Sequence, residues 1–477
     1  MSWVCWSNDG GADLQRATGD DGVKRPLLQE LAEYAVSIRW SALPQVVQDE
    51  ARLNVLDTIG CMASGARLDE TRRLLAAERV LGEQGRSSVL GARGGFSAQS
   101  AARINAYMGD VFELNDLIGG HASIGTVTPA LALAEQLGAG GEPLLEAVVT
   151  GVEIVCRVHG GFYAHQKPFT QAGLAQVGIP NTIGAAAAAS RLMGFDAGQT
   201  AHAMAIGAAL AGWCPAEVIF GEGSEVKPLL FGAWPGSVGL LAAAYAAAGM
   251  TGNQNLLESS MGYYATVAND IAWDVARDFS AWRLAQPRRK LHACCGYMHS
   301  AIDSVAALRR EGVPLQNASR IRVSIPAYIE PAVSKPQAPA TGNEARFNLQ
   351  YCLAHAAIDS DVIVPEHSLA CEAHGRRPEI EAMRRRFEVV VDQAFSHYRF
   401  SRVEVFDAAG VMTHARENDA PRGTEWNPMS QDEVTGKFRR LAGPLLSGSR
   451  MDDYLARVSR LETAQDCGWL LAAFDTA

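Results

Sequence analysis

Alanine and glycine crowd the first half of this chain in runs that only closely packed helices use well. IGAAAAASRLMG (183–194), TAHAMAIGAALAGW (200–213) and SVGLLAAAYAAAG (237–249) follow one another with short Gly, Asp and Pro breaks. Alanine is the strongest helix former, and side chains this small let helix axes come close together. AARINAYMGDVFEL, TPALALAEQL and EPLLEAVVTGVEIVCRV carry the same helical signal, so a compact many-helix body is predicted. The nearly uncharged run His202–Phe220 is broken by Pro215 and Glu217. A membrane span needs about 20 predominantly apolar residues, so a buried core helix is predicted there.

The pattern changes after Gln286. SRIRVSIPAY alternates Ile321, Val323 and Ile325 with polar neighbours, the period of a half-buried strand. SRVEVFDAAGVMTHARE reads as a hairpin turning at Asp407–Gly410, and RFEVVVD adds a third strand after the helix PEIEAMRRR. Four segments are predicted: a flexible N-terminal extension over 1–27, a large all-helical domain over 28–285, a small α+β domain over 286–426, and helices over 427–477 packing back on the helical domain. The fold class is therefore mainly α, with a cleft between the two domains as the default site.

Composition limits the partners. The 477 residues hold 42 Lys plus Arg against 52 Asp plus Glu, a net charge of −10. That balance disfavours nucleic acid and anionic membranes, and an anionic substrate must be drawn by local positive charge. The nine cysteines form no disulfide framework, and MSWVCWSNDGGADLQ has neither the basic residues nor the apolar core of a leader, so a cytoplasmic chain is expected. Phosphate-loop, dinucleotide, nucleophile-elbow and zinc-protease motifs are missing from the sequence. His292, Cys294, Cys295 and His299 lie close together, but their spacing fits no ligand pair, so no metal is expected.

Three polar constellations remain. Glu113-Leu-Asn115-Asp116-Leu-Ile-Gly-Gly-His121-Ala-Ser123 sets two carboxylates, an amide and a histidine between apolar segments. A carboxylate beside an imidazole can tune it as a general base; equally, Asp116 or Ser123 could simply cap a helix. Ser224-Glu225-Val226-Lys227-Pro228 carries a lysine that on sequence alone reads as a surface residue. Arg288-Arg289-Lys290, followed by His292, Cys294, Cys295 and His299, would make an electropositive mouth at the domain junction, or a solvated basic hinge.

In this order, these segments resemble the MmgE/PrpD family, which includes 2-methylcitrate dehydratase, cis-aconitate decarboxylase and iminodisuccinate epimerase. The resemblance runs from Leu28 to the end of the chain. It also takes in Asn54-Val-Leu-Asp57, Lys227-Pro-x-x-x-Gly232, Glu344-Ala-Arg346-Phe-Asn, Pro421-Arg-Gly423, Asn427-Pro428-Met and Lys437-Phe438. It implies a homodimer without cofactor that performs proton chemistry next to a carboxylate. His121 is then the general acid/base, oriented by Asp116 or Glu113, and Lys227 and Lys290 clamp the substrate carboxylates. Asn115, Arg289, Tyr328, Cys295 and His299 complete the implied substrate-binding set. Leu117 stands where the family commonly has threonine, Leu230 where histidine is common, and Cys295 where the decarboxylase has histidine. The reading is a lyase, foremost a dehydratase of a small di- or tricarboxylate. An epimerase, a decarboxylase and a catalytically silent carboxylate binder are its alternatives.

Overall fold

The computed structural model describes residues 25–474 apart from 83, 222–223 and 374–376. Residues 1–24 of the proposed N-terminal extension lie outside the described part. The small-residue runs do what their composition predicts. Helices Gly141–Tyr163, Gly178–Leu192, Ala197–Leu210 and Trp234–Ala247 pack face to face, and Ala185–Ala189 are buried. A Cβ on Gly184 would come within 2.7 Å of the Gly151 carbonyl oxygen. Glycine there allows the helices Gly141–Tyr163 and Gly178–Leu192 to meet backbone to backbone.

One expectation fails. The run His202–Phe220 is not a single core helix: the helix ends at Leu210, residues 211–215 leave it, and Ala216–Phe220 is a separate short turn. Gly212 takes a left-handed φ of +80°, Pro215 cannot donate to a helical ladder, and Trp213 is 70% exposed. Among the described residues, the stretch long and apolar enough to cross a membrane is instead Leu229–Ala247, most of which is buried inside the protein. It opens with a wide π-helical turn, Leu229–Ala233, before the regular helix from Trp234.

A second core is organised by a four-stranded sheet in the order β2-β1-β3-β4, with β1 Arg320–Ile325, β2 Phe387–Val391, β3 Ser401–Phe406 and β4 Met412–Asn418. β1 runs parallel to β2 and antiparallel to β3, setting Val323 opposite Val389 and Val403. Ile321, Val323 and Ile325 are buried, as their alternation requires, and helices His299–Arg310 and Leu349–Ile358 contribute to the same core. Helices Gln431–Ala442 and Ser449–Val458 bury Phe438, Met451, Tyr454 and Val458 in the core of the first half of the chain. Between the two cores runs the junction 288–295, tied by Leu117 N–H to the Arg288 carbonyl (2.7 Å) and by Cys295 N–H to the Arg346 carbonyl (2.9 Å).

Candidate active site

Helix Ala98–Asp110 ends where the acidic loop begins, and the loop turns back on itself through left-handed residues. Gly119 (φ +52°) and Gly120 (φ +69°) adopt this region freely, whereas Glu113 (φ +56°) and His121 (φ +72°) do so at a cost of about 1–3 kcal/mol each. The surrounding structure holds them there. Asn181 Nδ2 donates to the carbonyls of His121 (3.2 Å) and Phe231 (2.7 Å), tying the histidine to the π-helical turn. From the C-terminal helix, buried Lys437 donates to the Leu114 carbonyl (2.9 Å) and pairs with Asp57 (2.8 Å).

Inside the loop, Asp110 accepts from the Asn115 amide, and Asn115 Oδ1 meets His121 Nδ1. Because that oxygen only accepts, Nδ1 carries the proton and Nε2 keeps its lone pair. Burial, with Lys290 nearby, holds His121 well below the ordinary histidine range, so the ring is neutral. Its face rests on Phe231 at 4.7 Å. The orienting partner of His121 is therefore Asn115, backed by Asp110, and neither Asp116 nor Glu113 as the sequence suggested. Asp116 accepts from Ser123 Oγ and N–H, and Ser123 in turn accepts from Asn54 Nδ2 at 2.6 Å. The capping alternative for Asp116 is thus realised at the start of helix Ala122–Leu137. Burial pushes its carboxyl up to about 7.

Glu113 sits between the two lysines. Lys290 Nζ lies 2.7 Å from Glu113 Oε2, while Lys227 Nζ pairs with Glu113 Oε1 and lies 2.9 Å from Asp110 Oδ2. Neither lysine is a surface group: Lys227 is 1% and Lys290 0% exposed. Burial lowers Lys227 to about 8 against the pull of Asp110, and it lowers Lys290 as well. Lys227 also stands over the Phe231 ring at 4.5 Å. The arrangement is a buried cationic pair bridged by the Glu113 carboxylate, with the neutral His121 imidazole near Lys290.

The rest of the implied binding set is dispersed. Arg289 is buried but turns away to Glu50 (2.6 Å), and Arg288 pairs with Glu425, so neither joins the lysine cluster. The basic-hinge alternative fails too, since Arg289 and Lys290 are buried. His299 packs edge-on against His292, with Nε2 3.3 Å from the Cys294 carbonyl. His292 uses both nitrogens, one on Asp303 and one on the Ile363 N–H, so these residues do not converge as metal ligands. Tyr328 is half-buried and its hydroxyl accepts from the Tyr398 N–H (2.7 Å). Cys295 is buried within electrostatic reach of both lysines. All eight cysteines among the described residues are buried.

Sequence reasoning did not single out Asp110, Asn54, Asp57, Asn181 or Lys437 for a role at the site. A signal existed for one of them: Lys437 falls on the apolar stripe Val434, Phe438, Leu441 of its helix, where a solvated lysine has no place. Asn54 and Asp57, three apart in a largely buried helix, are a fainter signal of the same kind. Two other polar features stand apart from this site. A 380 Å³ cavity lined by Asp303, Arg310, Asp361, Arg416, Arg422 and Glu433 has its arginines matched by acids. His355, Asp359 and His367 bring ligand atoms within 4.8 Å of one another, but Asp359 is held by Arg377, His367 Nδ1 accepts from the Val364 N–H, and the two rings stack at 4.2 Å.

Comparison with known proteins agrees with this arrangement of two domains around a junction. Residues 29–276 match the MmgE/PrpD N-terminal domain and residues 292–461 the MmgE/PrpD C-terminal domain. The chain is 24% identical to the cis-aconitate decarboxylase-like protein oryM of Aspergillus oryzae, over 93% of this chain and 96% of the relative. It is 28% identical to the cis-aconitate decarboxylase of Mus musculus over 72% of each chain. With the cis-aconitate decarboxylase of Aspergillus terreus it shares 22% identity over 96% of this chain and 98% of the relative.

Proposed function

The chain belongs to the MmgE/PrpD family, and from that premise we propose that it is a lyase acting on a small di- or tricarboxylate without a cofactor. The observation that carries the reading is Glu113 held between Lys227 and Lys290 beside neutral His121. A carboxylate already occupies the lysine pair, so the pair is built for carboxylates, and a substrate carboxylate can exchange with Glu113. Charge-assisted hydrogen bonds to a carboxylate in a desolvated site are about twice as strong as neutral ones.

The chemistry follows from the protonation states. With Nδ1–H committed to Asn115, His121 Nε2 can accept a proton from the carbon next to a lysine-bound carboxylate. The lysines stabilise the charge that develops on that carboxylate as the C–H bond breaks. Returning the same proton to a neighbouring hydroxyl as its C–O bond breaks releases water and leaves an alkene. A base that starts neutral favours this elimination, with His121 as acid/base, Asn115 and Asp110 as positioning residues, and the lysines as the clamp. Decarboxylation is the second reading, favoured by the names of the relatives over nearly the whole chain.

A panel of small hydroxy- and unsaturated carboxylates, followed by NMR in deuterium oxide, tests this. Water loss or carbon dioxide release marks a lyase. Exchange of the α-hydrogen alone marks an epimerase and overturns the proposal, as does binding with no turnover. On the substrate so identified, His121→Gln should lower kcat by about 10²–10⁴ with the fold intact by circular dichroism. Near-normal turnover removes His121 from the role.

A further inference from the structure

The acidic loop is held by two helices that lie far apart in sequence. Lys437, on helix Gln431–Ala442 and 1% exposed, reaches 323 positions back along the chain to donate from Nζ to the Leu114 carbonyl (2.9 Å). Its charge is matched by Asp57 of helix Gln45–Gly65, at 2.8 Å. These helices pack so closely that a Cβ on Gly60 would lie 3.1 Å from Phe438 Cδ2. Leu114 itself shares a small apolar cluster with Leu441 and Cys61. The ammonium is therefore carried through an apolar layer to a single carbonyl. That carbonyl belongs to the residue between Glu113, which bridges Lys227 and Lys290, and Asn115, whose Oδ1 meets His121 Nδ1. Glu113 keeps a left-handed φ of +56°, and Leu114 is 1% exposed, so water cannot stand in for a lost donor. A buried carbonyl left unpaired costs enough to turn its peptide toward another partner.

We propose that Lys437 is a positioning residue for the reaction: by fixing the peptide that joins Leu114 to Asn115, it sets the Asn115 side chain on His121 Nδ1 and keeps the Nε2 lone pair for the substrate proton. The proposal rests on the reading of His121 as the acid/base. Without the lysine the Leu114–Asn115 peptide turns, Asn115 Oδ1 leaves the imidazole, and the ring divides between its two neutral tautomers. The Nε2–H form has no lone pair at that atom and cannot take the proton. A displacement of about 1 Å that starts far from the chemistry costs roughly 10²-fold in rate. Lysine suits the task because its long apolar stem packs in the core while its tip still donates.

The test uses the full chain. Lys437→Met alone strands the Asp57 carboxylate in the core, so the working variant is Asp57→Asn/Lys437→Met, which removes both charges. Asp57→Asn/Lys437→Gln, whose side chain ends one bond short of the Leu114 carbonyl, replaces it if the first does not fold. Phe438→Leu is the control, since it loosens the same helix without removing the donor. Histidine-selective nitrogen NMR reads the tautomer without any substrate, with the His121 signal assigned by its loss in His121→Gln. The wild type and Phe438→Leu should show the Nδ1–H form, and the double variant a substantial share of the Nε2–H form. On the substrate that the carboxylate panel identifies, the double variant should lose about 10- to 100-fold in kcat, with KM changed by less than about threefold. Phe438→Leu should lower the melting temperature and keep kcat per folded molecule. A His121 tautomer unchanged in the double variant, or a kcat loss no larger than that of Phe438→Leu, overturns the proposal. Failure of the acid/base reading is seen separately, as near-normal turnover by His121→Gln or no turnover on the panel, and either removes the proposal with it.

Discussion

Two of the clusters of buried charge among the described residues are built differently. Glu153 and Arg157, one turn apart in helix Gly141–Tyr163, are both fully buried and paired. The Glu153 carboxylate also accepts the backbone N–H groups of Arg283 (3.2 Å) and Leu284 (2.8 Å). Arg157 donates to the Ala281 carbonyl (2.9 Å) and lies over the Tyr34 ring at 4.2 Å. Its partners are mostly fixed backbone, so the pair pins the segment 281–284 against the helix. Lys227, Lys290, Glu113 and Asp110 are just as buried, yet among the described residues their ion-pair partners are one another's side chains. Buried charge alone therefore does not mark a site. Charge whose ion-pair partners are one another's side chains, on a loop carrying Glu113 and His121 in left-handed conformations, makes a candidate for one.

That contrast can be broken most directly at Arg157. Arg157→Met strands the Glu153 carboxylate in the core and should cost about 3–5 kcal/mol in urea-melt stability. Activity per folded molecule should stay nearly normal, and a variant of undiminished stability would place the pair outside the structural class. Lys290→Ala should show the opposite split. We expect a loss of about 1.5–3 kcal/mol of transition-state stabilisation, roughly 10- to 150-fold in kcat/KM on the substrate found by the panel, with a smaller change in melting temperature. Lys290→Arg should rescue poorly, because a planar guanidinium does not fit where a compact ammonium sits. If Lys290→Ala mainly unfolds the protein, the two clusters are the same kind of object.

A pH-dependent effect concerns Asp116, whose carboxyl is raised to about 7 in the folded protein from an ordinary value of 3.8. The folded state holds that proton more tightly than the unfolded chain, so stability declines as pH rises from about 4 to about 7 and levels off above. Asp116→Asn removes this term. The variant's melting temperature relative to wild type should climb across that window, and a difference flat with pH would show that Asp116 is ionised throughout. The buried histidines run the other way. His121 is held well below its ordinary value, and His159 is lowered to about 3, both chiefly by burial. The unfolded chain protonates them below about 6.5 and the folded protein does not, so acidification from there toward about 3 should destabilise the fold.

The sequence by itself determined the strands, most of the helices, and the candidates Glu113, Asn115, His121, Lys227 and Lys290. Those depend on local information: alanine runs, period-2 alternation, glycines at a turn, and a series of motifs in family order. It could not decide which acid serves which base. Asp116 looked like the partner of His121, but the turn through Gly119 and Gly120 delivers Asn115 to the imidazole and leaves Asp116 facing Ser123. Lys227 read as a solvated residue because nothing near it in sequence says otherwise. Its partner Asp110 lies 117 positions away, and Lys290 and Glu113 are 177 apart. Whether a lysine is a surface ornament or half of a buried clamp depends on how far water is excluded from it. That exclusion is a property of the packed domains and of no single segment, so only the tertiary structure could decide it.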